Sequence, residues 1–414
     1  MTPEPHDASS GPRRIVVVGA GIAGVSAVEA ARQADPDARL TLLSDEPDLP
    51  YYRLNLTRYL AGEIEADALP LHPAAWYAER RIDLRLGRRA AALAPDAGAV
   101  TLDDGQTLPF DRLVLAAGAA PVVPPIAGAR LEGVTCLRTR ADTERIFDAV
   151  EPDLPCVVIG GGLLGLEAAA ALRKHGARVT VVEGLAHLMP LQLTRAGAAV
   201  LERHIEGLGV DIRTGVMTRQ ILGDGRCRAA VLEDGARIDA RLVVIATGVR
   251  PTLDLAKAAG LDTKSGIRVD DRLATSHPSV LAAGDVTEHG GVLYGTWLAS
   301  RVQGRTAGEN AAGGRAAFTG IPPAYLLKVV GVDVFSIGAV EAEGAADRAI
   351  EDAADDVYRR FVFRDGRLIG AILLGDTSVM AAVRKAIERG SDFAALLGRS
   401  LSADDVARGL IEAA

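Results

Sequence analysis

A chain of 414 residues exceeds what one hydrophobic core serves well, so two or three domains are expected. Hydrophobic residues at 49%, charged residues at 24%, 45 glycines and 20 prolines make an ordinary globular composition and exclude a disordered or fibrous chain. The net charge of -8 argues against nucleic acid as a partner, and three scattered cysteines, Cys136, Cys156 and Cys227, exclude a disulfide framework or a close dithiol pair.

Residues 1–13 read as a flexible start without the apolar core of a signal peptide, and no later run reaches the roughly 18 residues that cross a bilayer. A cytoplasmic protein with no membrane span is expected. The apolar run from Ile15 to Val28 is broken by three glycines and reads as strand, turn and helix rather than a membrane segment.

The first structured unit is βαβ. The strand Ile15 to Val18 breaks into Gly19-Ala20-Gly21-Ile22-Ala23-Gly24, an Ala-rich helix covers Val25 to Gln33, and a second strand runs from Leu40 to Leu43. In G-x-G-x-x-G after a strand, the first glycine makes the tight turn, the second lets a diphosphate approach the backbone, and the third lets helix and strand pack closely. The free N–H groups at the helix start then face the phosphates. A carboxylate is expected about twenty residues on to take the adenosine ribose hydroxyls; that offset falls on Ser44, with Asp45 and Glu46 just beyond, and Asp45 is the better candidate.

The pattern is written a second time. Val157 to Ile159 runs into Gly160-Gly161-Gly162-Leu163-Leu164-Gly165, followed by a helix from Leu166 to His175 and a strand from Val179 to Val182 that ends on Glu183. An acid there repels the extra phosphate of NADPH, and Gly184 offers no cation, so NADH is favoured. Each half closes alike, with Leu113 to Gly118 and Pro121 echoed by Leu242 to Gly248 and Pro251. Ser279 to Asp285, a short strand ending in Gly284-Asp285, has no second copy. One dinucleotide domain inserted in the other explains this order. The expected division is a first domain of residues 14–122 and 252–319, a second of 123–251, and a C-terminal α+β domain of 320–414. In the last, strands are predicted over Leu326 to Gly338, Val357 to Arg364 and Leu368 to Leu374, with a hairpin turn at Asp365-Gly366 and helices from about Ser378 and Ala403.

The segment Ser44-Asp45-Glu46-Pro47, with Leu49-Pro50-Tyr51-Tyr52-Arg53 and Leu56-Thr57-Arg58, resembles the flavin segment of NADH:rubredoxin reductases, of the flavin part of NADH nitrite reductases and of apoptosis-inducing factor. This is the branch of the FAD-dependent pyridine nucleotide-disulfide oxidoreductases that lacks redox-active cysteines. The resemblance extends through both glycine fingerprints, Ala282 to Val286, Gly304 to Asn310 and Gly375-Asp376-Thr377, and implies a glutathione-reductase-like fold. It implies that FAD binds the first domain through Gly19, Gly21, Ala23, Gly24, Asp45 and Glu46, with Ala90, Ala117, Gly118 and Gly284 beside it. Asp285 would meet the ribityl chain, Arg53 the phosphates, and Thr296 and Trp297 the ring. NADH would take Gly160, Gly162, Leu164, Gly165, Glu183 and Gly248.

Arg58 stands where relatives usually have lysine near the flavin, and Glu167 matches an acid near the nicotinamide; an Arg58–Glu167 pair is expected, with hydride passing from NADH to FAD. Related disulfide reductases and NADH peroxidases place cysteine in the helix after the ribose acid, whereas Tyr52 to Ala61 has none. Electrons are therefore expected to leave the flavin directly for a separate one-electron acceptor: a rubredoxin, a ferredoxin or a nitrite-reductase-type partner. A homodimer is compatible with the resemblance. Two alternatives stand beside this: an NADH oxidase using oxygen, and an NADH-sensing flavoprotein whose redox state controls partner association. The seven histidines show no metal-ligand spacing, and no metal is expected.

Overall fold

The computed structural model describes residues 11–327, 331–354, 356–398 and 401–412. The predicted flexible start, residues 1–13, lies mostly outside them. The chain divides into two compact units. One comprises residues up to Arg53, Asp67–Ala120 and Arg250–Ile321; the other comprises Leu54–Ala66, Pro121–Val249 and residues from Pro322 onward.

In the first unit, a parallel sheet carries its strands in the order Val280–Ala282, Arg112–Leu115, Arg14–Val18, Arg39–Leu43, Ile82–Arg85. The central strands Arg112–Leu115 and Arg14–Val18 are covered on both faces, which is why they read as unbroken Val, Ile and Leu runs, whereas the edge strand Ile82–Arg85 alternates. Helix Ile22–Ala34 packs against helix Trp297–Ala311 with almost no space between backbones. A Cβ at Gly304 would lie 2.2 Å from the Ala23 carbonyl oxygen, and one at Gly308 2.0 Å from that of Ala27. A three-stranded antiparallel meander, Ala90–Ala94, Ala99–Leu102 and Thr107–Pro109, completes this layer.

The second unit repeats the plan. Its parallel sheet runs Val210–Thr214, Arg178–Glu183, Pro155–Ile159, Leu242–Ile245, Val134–Cys136, again with a meander, Thr218–Asp224, Arg226–Leu232 and Arg237–Asp239. The same unit holds a five-stranded antiparallel sheet, ordered Ala324–Leu327, Val334–Gly338, Arg367–Leu374, Val357–Arg364, Asp347–Ala354. Here the two-residue alternation sorts the faces: Phe335, Phe361, Phe363 and Leu373 face helices Met380–Arg389 and Ala403–Glu412, while Val334, Tyr358, Ile372 and Leu374 join the core of the Rossmann layer. Asp365 and Gly366 both have positive φ, 49° and 78°, the backbone of a type I′ hairpin turn.

Three differences from the sequence reading have clear causes. The predicted strand from Leu326 to Gly338 is two paired strands, Ala324–Leu327 and Val334–Gly338. Asp347–Ala354, with the sequence DRAIEDAA, is a further strand; it lies at the sheet edge, mostly exposed, and so carries no apolar alternation. Residues 54–66, expected with the first dinucleotide domain, pack with the second unit instead. Leu60 sits in its core, Tyr59 stacks on Phe147 with ring centroids 6.3 Å apart, Lys174 pairs with Glu63, and the Leu60 carbonyl meets His175 Nε2.

Candidate active site: two glycine cradles and the groups around them

The two fingerprints place each glycine in the conformation its role requires. Gly19 and Gly160, at φ 104° and 113°, make turns that side-chain residues avoid, and each abuts the next strand: a Cβ would lie 2.2 Å from the Ala116 oxygen or 2.4 Å from that of Ala246. Gly24 and Gly165 permit helix–strand contact, a Cβ falling 1.8 Å and 1.9 Å from the carbonyl oxygens of Gly19 and Gly160. The middle glycines differ. Gly21 and Gly162 have ordinary extended backbones, at φ −70° and −82°, and a Cβ on either meets nothing within 4 Å. Among the described residues, nothing requires glycine there. Each precedes a helix whose N-cap has no side-chain hydrogen bond, so an anion close to the backbone fits both places. Ala23 is buried on its helix; Leu164 lies in the first turn of the other.

The strand registers relate the two strand ends at which a ribose carboxylate is expected. Val18 pairs with Leu43 and Ile159 with Val182, so Ser44 and Glu183 are equivalent. Glu183 is fixed by two backbone N–H donors: Gly161 at 2.8 Å to Oε2 and Leu185 at 2.7 Å to Oε1. Ser44 turns inward, its Oγ accepting from the Glu46 N–H at 3.2 Å. Glu46 accepts from the Tyr51 hydroxyl and from Arg53 Nη2, both at 2.6 Å, whereas Asp45 is exposed.

At the same carboxyl end of the first sheet, Gly118 follows Arg112–Leu115 with φ 64°, Ala117 precedes it, and Ala90 opens the meander. Gly284, at φ 88°, follows Val280–Ala282 and leads to Asp285, whose Oδ1 accepts from Ser300 Oγ at 3.1 Å. Gln303 was not singled out from sequence, yet it is central here. It is 1% exposed, and its Oε1 takes the Gly284 N–H at 2.8 Å and lies 2.9 Å from Thr287 Oγ1. Its Nε2 is buried without a partner, a donor that a bound dinucleotide would satisfy. Thr296 caps helix Trp297–Ala311, and Trp297 stacks on Tyr52 at 6.1 Å with its Nε1 also buried and unpartnered. Gly248, in the second unit, has φ 101°, and its carbonyl accepts from Val122 N–H.

The expected Arg58–Glu167 pair is not made. Successive residues of an α-helix point about 100° apart, so on the single turn Leu56–Leu60 only one of Thr57 and Arg58 can face helix Leu163–Lys174. Thr57, 1% exposed, takes that face with Leu60, and its Oγ1 donates to Glu167 Oε2 at 2.8 Å. Arg58 turns outward, its side chain 46% exposed, and its Nε donates to Glu63 Oε2 at 3.2 Å. Lys174, then Arg58, hold the Glu63 carboxyl below its usual range.

Burial pushes Glu167 the other way, above the usual glutamate value, and the Thr57 hydrogen bond offsets this in part. A carboxyl raised in the folded state loses stability as pH climbs from its unfolded pKa through the folded one. Glu167→Gln keeps an oxygen for Thr57 and removes the charge. Its melting temperature should exceed the parent's by about 1–3 °C at pH 8 and by less at pH 5; an equal gain at both pH values would contradict this, as read from thermal melts of the FAD-loaded protein.

Among the cysteines, Cys156 is buried and its thiol is pushed up to about 12 by desolvation, which suits a core residue. Among the described residues, no helix is long and apolar enough to cross a membrane.

Comparison with known proteins agrees with this geometry. Residues 13–307 match the family model described as pyridine nucleotide-disulphide oxidoreductase. The chain therefore belongs to the pyridine nucleotide-disulphide oxidoreductase family, and FAD and NADH are its cofactors. Residues 323–391 match the rubredoxin NAD+ reductase C-terminal domain.

The chain is 33% identical over 371 residues to the NAD(P)H nitrite reductase of Bacillus subtilis (strain 168), covering 89% of this chain and 46% of that protein. It is 29% identical over 380 residues to the NADH-rubredoxin oxidoreductase of Clostridium acetobutylicum, covering 92% and 96%. The chain spans about half the length, or less, of several curated nitrite and nitrate reductase relatives that it matches. Among solved structures, the covalent putidaredoxin reductase–putidaredoxin complex matches with a TM-score of 0.89 at 27% identity, covering 98% of this chain and 99% of that one. NADH:rubredoxin oxidoreductase from Clostridium acetobutylicum matches with a TM-score of 0.82 at 28% identity, covering 96% and 100%.

Proposed function

We propose that this chain is a cytoplasmic NADH-dependent reductase. It takes electrons from NADH onto FAD and passes them singly to an iron-containing carrier, a rubredoxin or ferredoxin, or to a nitrite-reductase-type partner. The observation that carries this reading is the pair of glycine cradles, each open where a diphosphate would lie, in a chain without cysteine between Tyr52 and Ala61. Similarity to an NADH-rubredoxin oxidoreductase along nearly its whole length, and the rubredoxin-reductase type of C-terminal domain, support the choice of acceptor.

In this reading Gly19, Gly21, Gly24, Asp45 and Asp285 hold FAD, joined by the Gln303 amide, with Arg53 near its phosphates and Trp297 beside the ring. Gly160, Gly162, Gly165 and Glu183 hold NADH, and the Glu183 carboxylate repels a 2′-phosphate. Bound FAD supplies the conversion of a two-electron donor into one-electron steps. The chain supplies orientation and charge: Thr57 and Glu167 form the polar edge on the second unit, and Arg58 and Lys174 balance Glu63 next to it.

Anaerobic spectroscopy tests this. NADH should bleach the yellow protein, and oxidised rubredoxin or a [2Fe–2S] ferredoxin should restore the colour at least about tenfold faster than air does. Reoxidation by air as fast as by any carrier would point to an oxidase. Bleaching that no acceptor reverses would point to an NADH sensor.

A further inference from the structure

The segment after Glu183 ties the second glycine loop to the C-terminal sheet. The Met189 N–H donates to the Gly161 carbonyl at 2.9 Å, while Glu183 takes the Gly161 N–H, so both backbone polar groups of Gly161 are held. Leu188 covers Gly161 so closely that a Cβ there would lie 2.6 Å from its Cδ2. Met189 is buried with φ 47°, in the left-handed region, a conformation that persists only where the surroundings over-determine it.

The residues that follow Met189 are anchored on the C-terminal sheet. Ser336 Oγ donates to the Gln192 carbonyl at 2.8 Å, and the Gln192 and Leu193 N–H groups both reach back to the Met189 carbonyl at 2.9 Å. One residue further, Thr194 caps helix Arg195–Gly207, its Oγ1 accepting from the Gly197 N–H at 3.2 Å. The same hydroxyl meets Tyr358 OH at 2.7 Å. Tyr358 gives its one proton to Glu351 Oε2 at 2.7 Å, so Thr194 must donate to Tyr358. The chain of donors therefore runs in one direction, Gly197 to Thr194 to Tyr358 to Glu351, and ends on a carboxylate that also takes Arg360. Aligned donors of this kind strengthen one another in a buried setting. Tyr358 is 0% exposed, with its phenol pushed up to about 12 by burial, and Gly197 leaves room for its ring: a Cβ there would lie 2.9 Å from Cε1.

We propose that Tyr358 and Ser336 are positioning residues for NADH: through the 184–194 segment the C-terminal sheet fixes the Gly161 peptide and the Glu183 carboxylate that receive the adenosine end of the nucleotide. This rests on the reading of the second cradle as the NADH site. It gives the C-terminal sheet a role in nucleotide affinity.

The test compares FAD-loaded Tyr358→Phe, Ser336→Ala, Thr194→Val, Thr194→Ser and Glu183→Gln, with ferricyanide as acceptor. Tyr358→Phe and Ser336→Ala should each raise KM for NADH about three- to tenfold, with kcat within about twofold of the parent and FAD content unchanged. Thr194→Val should behave like Tyr358→Phe, and Thr194→Ser, which keeps the hydroxyl, should restore the parental KM. Glu183→Gln separates the two claims. If it raises KM while the sheet variants leave KM alone, the positioning role is overturned and the NADH cradle stands; if Glu183→Gln has no effect, the cradle assignment itself falls. Should Tyr358→Phe fail to fold, the Ser336→Ala and Thr194 pair decide alone, and a parallel fall in kcat and FAD content in those variants would reduce the contact to structural support and overturn the proposal.

Discussion

Gly21→Val protein is expected to fold and to purify colourless. The position has φ −70° and ψ −176°, which valine adopts without strain, and among the described residues a Cβ there meets no atom within 4 Å. The cost to the polypeptide is a poorer helix N-cap, at most about 1 kcal/mol. A bound diphosphate, however, would meet the added methyls. The FAD-to-protein ratio should fall below about one tenth of the parental value, while the circular dichroism spectrum and melting of the apoprotein match those of parental apoprotein. Apoprotein must be compared with apoprotein because bound FAD itself raises the melting temperature. Full retention of FAD would remove the first cradle from the binding site. Gly24→Val provides the contrast: its side chain would collide with the Gly19 carbonyl, and that protein should not fold.

Gly162→Val should remain yellow and resist reduction. Gly162 has the same extended backbone, at φ −82° and ψ −178°, and the same open space at Cβ. FAD content should equal the parent's, and the NADH concentration that half-reduces the flavin should rise by about a hundredfold or more, a loss of roughly 3 kcal/mol of binding. An anaerobic titration reads this directly. An unchanged midpoint would show that the nucleotide does not lie against this turn. The two variants together assign each cofactor to its own cradle, because each should lose one and keep the other.

The cradles were legible because the backbone itself writes them. A strand buried on both faces needs an apolar run, and its turn needs glycine at a left-handed φ, as at Gly19 and Gly160; both demands appear directly in the residues. The Asp365-Gly366 hairpin was legible for the same reason. Short strands such as Val134–Cys136, held mainly by neighbouring backbone, leave almost no trace.

The site groups divide along the same line. Glu183 could be found by counting to the end of its strand. Gln303 could not, because its importance lies in Gly284 and Thr287, brought to it by the fold. Arg58 was read with the wrong partner because a one-turn helix leaves its facing residue undecided until packing chooses, and here packing chose Thr57. Tyr358 and Ser336 looked like any alternating strand residues; only the segment lying across them reveals their hydroxyls as donors.

The strand Val280–Ala282, which pairs with Arg112–Leu115 at the edge of the first sheet, also sets the timetable of biosynthesis. More than 160 residues separate these partners in the chain, including all of Pro121–Val249. At roughly 5–20 residues per second, a ribosome needs on the order of ten seconds or more to supply the missing edge. During that interval the nascent sheet presents the unpaired backbone of Arg112–Leu115, while Pro121–Val249 emerges as one uninterrupted stretch. The nucleotide layer encoded second is thus free to close first, and the layer encoded first waits for its last strand.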